Sequence, residues 1–163
     1  MLTKFAPDAR RVVADARAIA GGLGSPTLEA EHLLLAVTRG PATNAQRALT
    51  EAGVDEGCVR AALAAEFEAS LAAVGVYVGE DDLAATVDRT RTPRWGTSAR
   101  LALQRGAKIA RGRRDRRYTS AHIALAVLRA PLGSVPRALD RAGCDRVALA
   151  ARIEAALSQP NAN

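Results

Sequence analysis

Few residues in this 163-residue chain are suited to acid–base, metal or covalent chemistry: two histidines and two cysteines. His32 stands in Glu31-His32-Leu33-Leu34-Leu35-Ala36-Val37, and His122 in Ala121-His122-Ile123-Ala124-Leu125-Ala126-Val127. An imidazole inside an aliphatic run predicts a buried helix-packing residue whose ring nitrogens bond backbone or water. No Cys, Asp or Glu stands at ligand spacing from either histidine, so no metal or cofactor is expected. Cys58 and Cys144 form no C-x-x-C; they read as buried structural thiols of a reducing, cytoplasmic compartment. The chain has no G-x-x-x-x-G-K-[ST], no G-x-S-x-G and no convincing pair of carboxylates, so no residue is expected to be catalytic. Glu31 is the exception in its motif. Its carboxylate matches the planar donor fork of a guanidinium. It would equally complement the positive end of a helix beginning there. Both readings stand at this level.

Charge adds a second feature. Residues 1–73 carry 7 Lys and Arg against 9 Asp and Glu, and residues 74–163 carry 16 against 8. A basic second half fits a solvated surface or an anionic partner. The run Arg111-Gly112-Arg113-Arg114-Asp115-Arg116-Arg117 concentrates it. Only Tyr118 supplies an aromatic beside it, which argues against a nucleic-acid platform. No apolar stretch approaches the roughly 18 residues of a membrane span, and the N-terminal residues lack an apolar signal core.

These residues are positioned by a repeat. Shifted by 90 positions, the sequence meets itself without a gap: Phe5 with Trp95, Ala9-Arg10 with Ala99-Arg100, His32 with His122, Arg47-Ala48-Leu49 with Arg137-Ala138-Leu139, and Ala52-Gly53 with Ala142-Gly143. A fixed offset of this kind marks a tandem duplication. Each copy reads as four helices. In the first, Pro7 and Asp8 open a helix carrying Val12, Val13, Ala16 and Ile19, which stops at Gly21, Gly22 and Gly24. A second runs from about Leu28 to Arg39 and a third from about Thr43 to Ala52; Asp55 caps a fourth. In the second copy, Thr97, Thr119 and Asp145 are the expected caps. Nothing alternates as a half-buried strand would. The expected class is all-α, with eight main helices related by a pseudo-two-fold. The first repeat spans 1–73, a connector 74–94, the second repeat 95–157 and a disordered tail 158–163. The connector is expected to hold a short helix opened by Glu80-Asp81-Asp82. Its Leu71-Ala72-Ala73-Val74-Gly75-Val76 echoes Leu49-Thr50-Glu51-Ala52-Gly53-Val54.

Together these features resemble the Clp N-terminal domain, the double repeat at the front of Clp-type AAA+ unfoldases, and most of all its ClpC-type branch. The resemblance rests on Phe5…Ala9-Arg10-Arg11-Val12-Val13, on Thr27-Leu28-Glu29-Ala30-Glu31-His32-Leu33-Leu34-Leu35-Ala36, on Ala48-Leu49…Gly53-Val54 and on Trp95-Gly96-Thr97-Ser98-Ala99-Arg100. It covers about residues 2–157. It implies a non-catalytic module that recognises peptides, unfolded or arginine-phosphorylated proteins and adaptors, and delivers them to an ATPase ring. It also implies that Glu31 binds phosphorylated arginine. Arg10, Arg100, Leu2 and Trp95 are implied to form a surface for cyclic-peptide antibiotics; a salt bridge at Arg10 and Arg100, and at Trp95 a packing staple before the helix that Thr97 caps, are the alternative readings. Ala121 stands where Glu31's counterpart would be, so a second arginine-directed site is in doubt. Divergence of the second copy favours a stand-alone, monomeric double repeat acting as a decoy for degradation signals or antibiotics, over a piece of an unfoldase. The rival reading from another class is a small basic regulator associated with nucleic acid.

Overall fold

A computed structural model describes residues 4–77 and 90–159. Its first helix, α1 (Pro7–Gly22), starts where Pro7 presets the backbone and Asp8 sits in the first turn, and it buries Ala9, Val12, Ala16, Ile19 and Ala20 on one stripe. α2 (Ala30–Arg39), α3 (Asn44–Glu51) and α4 (Glu56–Ala73) complete the first repeat. α5 (Thr97–Gly112), α6 (Ser120–Leu128), α7 (Ser134–Arg141) and α8 (Arg146–Leu157) follow, each beginning 90 residues after its counterpart. The expected caps hold at Asp55, which accepts from the Cys58 amide at 2.8 Å, and at Asp145, which accepts from the Ala148 amide at 3.0 Å. Thr97 is corrected: the capping position is Gly96, and Thr97 is the first helical residue. The echo in the connector has a structural meaning. Gly53 and Gly75 both take φ of +77°, and the amides of Val54 and Val76 return to the carbonyls of Leu49 and Leu71, each at 2.9 Å. The same helix ending is used twice.

Among the described residues, four two-residue strands were not legible in the sequence, because two residues leave no periodicity. β1 (Lys4–Phe5) pairs in parallel with β4 (Arg117–Tyr118), and β2 (Thr27–Leu28) with β3 (Arg94–Trp95). Each pair joins one repeat to the other, and the two pairs exchange under the 90-residue shift. The flanking bonds follow the same symmetry: the Ala6 amide donates to the Tyr118 carbonyl at 2.8 Å, and the Gly96 amide to that of Leu28 at 2.9 Å. Helix starts are also tied across the repeats. Asp8 accepts from the Ser120 amide at 2.9 Å, and Ser98 Oγ, at the position equivalent to Asp8, accepts from the Ala30 amide at 2.8 Å.

The repeats therefore interlock. α2 and α6 pack on each other at the centre, and α6 is buried along its entire length. α4 packs on α7, and α3 on α8, so the third and fourth helices of each copy meet those of the other. One apolar cluster runs through both copies, from Ala9 to Ile153. No described helix is long and apolar enough to cross a membrane. The proposed connector helix and residue Leu2 lie outside the described residues, as does most of the expected tail; Ser158 caps α8.

Candidate functional site

The start of α2 is built from Glu29-Ala30-Glu31-His32. Glu29 is the capping residue, and His32 stands three residues on, where a capping box usually places Glu or Gln. His32 Nδ1 accepts from the Glu29 amide at 2.9 Å, so the neutral ring carries its proton on Nε2. That nitrogen lies 4.0 Å from a Glu31 carboxylate oxygen. His32 is 2 % exposed. Burial lowers its pKa below the ordinary 6.5, against the opposing pull of Glu31 and Glu29. The imidazole is thus a buried, backbone-bonded group, as the sequence implied for both histidines. His122 repeats the device, with Nδ1 accepting from the Thr119 amide at 3.0 Å.

Glu31 is different in kind. Its side chain is 33 % exposed and accepts from Ser134 Oγ of α7 at 3.0 Å. It stands at the edge of a cavity of about 670 Å³ between α2, α4 and α7. Leu23, Leu35, Leu63 and Phe67 supply the apolar wall, and Arg60 and Arg137 two cations. Leu23 and Phe67 are themselves about half exposed, at 49 % and 55 %. An apolar cleft with a few convergent polar groups is the usual form of a small-ligand or side-chain site.

Glu66 completes this cavity and was missed in the sequence. It is 3 % exposed, yet it accepts from Arg137 Nε at 2.5 Å, from Arg141 Nε at 3.2 Å and from Ser70 Oγ at 2.9 Å. Arg137, followed by Ser70, holds its carboxyl below the usual range against the cost of burial. The pair fastens α4 of one repeat to α7 of the other and sets one wall of the cleft. A signal was present: Val59, Ala62 and Glu66 share one helical stripe, which places a carboxylate on a buried face.

The remaining candidates lie elsewhere. Arg10 and Arg100 are exposed; Arg100 Nη2 donates to the Trp95 carbonyl at 3.1 Å rather than to a carboxylate. Trp95 is half-buried against the core with the Arg17 guanidinium 5.5 Å from its ring centroid. None of the three lines the Glu31 cavity. Cys58 and Cys144 are free and half-buried rather than fully buried, and burial raises the Cys144 thiol. Among the described residues, no group of His, Cys, Asp and Glu could hold a metal ion.

The family model for the Clp repeat (R) N-terminal domain matches residues 4–88, more than half of the chain. The chain belongs to the Clp N-terminal repeat family. Clp N-domains are non-catalytic substrate-binding modules, associated with the substrate and adaptor interactions of Clp chaperones. Three solved structures share the fold over nearly the whole length. The N-terminal domain of the caseinolytic protease associated chaperone ClpD from Arabidopsis thaliana is 20 % identical, with a TM-score of 0.67 over 98 % of this chain and 97 % of that one. The Hsp104 N-terminal domain from Candida albicans is 16 % identical, with a TM-score of 0.64 over 96 % and 93 %. A structure from a malarial protein secretion system is 14 % identical, with a TM-score of 0.63 over 93 % of each chain. No curated protein matches the sequence. The double Clp N repeat thus extends beyond the matched residues, through α5 to α8.

Proposed function

We propose that this chain is a recognition module of Clp-type protein quality control that takes an arginine side chain of a peptide or unfolded protein at Glu31. The observation carrying this reading is a carboxylate, one-third exposed, that lines an apolar cleft between the repeats. Glu31 accepts the guanidinium fork, and Leu23, Leu35 and Phe67 cover the aliphatic stem and a neighbouring apolar residue. Arg60, paired with Glu56, and Arg137, paired with Glu66, also line the cavity, and their remaining guanidinium N–H groups offer donors to a phosphoryl group, which supports arginine-phosphorylated proteins as ligands. Arg10, Arg100 and Trp95, none of which lines that cavity, form the surface for a cyclic-peptide antibiotic, a reading that rests on the family resemblance.

The test is fluorescence anisotropy with labelled peptides carrying arginine or phosphoarginine. Glu31→Ala removes a charge-assisted interaction worth about 1.5–3 kcal/mol, so affinity should fall roughly 10- to 100-fold. Equal affinity in Glu31→Ala, or no binding to the unaltered protein, rejects the reading.

A further inference from the structure

The 90-residue symmetry allows the walls of the Glu31 cavity to be found again in the second repeat. Leu23, His32 and Ala64 line that cavity; their counterparts are Arg113, His122 and Glu154. There the position of Leu23 holds an arginine that is engaged within the chain. Arg113 Nε donates to Asp115 Oδ2 at 3.0 Å, its Nη1 lies 3.7 Å from Glu154 Oε1, and its Nη2 donates to Ser158 Oγ at 3.3 Å. His122 Nε2, bearing the proton because Nδ1 accepts from the backbone, donates to the same Asp115 oxygen at 2.9 Å. Arg129 Nη2 holds the other Glu154 oxygen at 2.7 Å. The Arg113 side chain is 25 % exposed, against 66 % for Arg11 in the first repeat.

The ligand class follows from the geometry. Nε and Nη2 each donate to a different acceptor while Nη1 lies within ion-pair range of Glu154, a spread that the separate nitrogens of a planar fork span and the single nitrogen of an ammonium does not. The carboxylate beside the histidine has also moved. In the first repeat it is Glu31, one residue before His32. In the second that position is the buried Ala121, and Asp115 from the preceding loop takes over. The first repeat has Leu23 where Arg113 would stand, and so has no guanidinium at that position.

We propose that the second repeat contains a guanidinium seat framed by Asp115, Glu154 and His122, occupied by the chain's own Arg113, so that each chain keeps one open guanidinium site, at Glu31. The seat stands on its own contacts. The count of one open site rests on the proposed function, and the two fail separately.

The experiment replaces Arg113 and supplies the missing group. Arg113→Ala should melt below the unaltered protein. Guanidinium chloride at about 10 mM, far below denaturing concentration, should recover part of the loss where ammonium chloride does not. In parallel, the His122 imidazole NMR signals should shift on guanidinium addition in Arg113→Ala and stay fixed in the unaltered protein. Equal responses to guanidinium and ammonium, or an equal His122 shift in both proteins, overturn the seat. If Arg113→Ala does not fold, Arg113→Lys replaces it; guanidinium should then displace the lysine and return the His122 signals to their original positions, and failure to do so counts against the proposal. An unaltered chain that binds no arginine peptide, with a normal His122 response in Arg113→Ala, rejects the Glu31 reading and leaves the seat intact.

Discussion

One pair of positions shows how the two copies solve the same packing problem with different residues. In the first repeat, Ala16 and Leu28 are both fully buried; in the second, their counterparts are Gly106 and Tyr118. A Cβ on Gly106 would lie 2.3 Å from the Tyr118 hydroxyl, 3.0 Å from its ring and 3.0 Å from the His122 backbone oxygen. The tyrosine therefore occupies the space that a methyl group would take. Gly106→Ala in a helix interior should by propensity alone gain about 1 kcal/mol. Overpacking of this kind costs about 1–3 kcal/mol, and here one obstacle is backbone, which relaxes least. A net loss of about 1–2 kcal/mol is expected, a fall in Tm of roughly 2–8 °C for a chain of this size. In the Tyr118→Leu background, which restores the first repeat's pairing, the sign should reverse and Gly106→Ala should stabilise by up to about 1 kcal/mol. Urea melts of the four proteins in this cycle measure the coupling. The same destabilisation in both backgrounds would refute the steric argument.

Other consequences concern stability and its dependence on pH. Burial lowers the His32 pKa, so the folded state binds fewer protons than the unfolded one, and stability should fall as pH drops below 6.5. His32→Gln keeps an acceptor for the Glu29 amide and should flatten that decline in melts taken between about pH 7 and 5. Glu66 has a depressed pKa, so its contribution should be present above its ordinary 4.5 and vanish as pH falls through its lower folded value. The Tm difference between the unaltered protein and Glu66→Gln should accordingly be large at neutral pH and shrink in acid. Asp8→Ala removes the acceptor for the Ser120 amide and hydroxyl at the start of α6, and should cost about 1 kcal/mol in denaturant unfolding, as loss of a cap does.

How much of this was legible depended on which physical signal each feature leaves. The eight helices among the described residues follow from periodic apolar positions and from caps such as Asp55 and Asp145, and the offset of 90 that relates them is carried by residues the core needs twice. Cross-repeat features leave no such trace. Ser98 capping Ala30, Glu66 reaching Arg137 and the pairing of Leu28 with Trp95 each join residues at least 67 positions apart. Glu31 was singled out as the non-core member of a core motif, and it does stand at the edge of a cavity. Its grouping with Arg10, Arg100 and Trp95 came from resemblance, and none of those residues lines that cavity. In the sequence the basic run stands as one cluster of charge. The fold divides it, tying Arg113 into carboxylates while Arg111, Arg114, Arg116 and Arg117 stay exposed.

The central claim is that one fold is used twice, with recognition of arginine confined to the first copy. The most direct measurement is a crystal of the protein soaked with free phosphoarginine. The expected result is ligand density beside Glu31, within reach of Arg60 or Arg137, and none beside Ala121. Density at Ala121, or none beside Glu31 at a concentration where solution binding is complete, would contradict it.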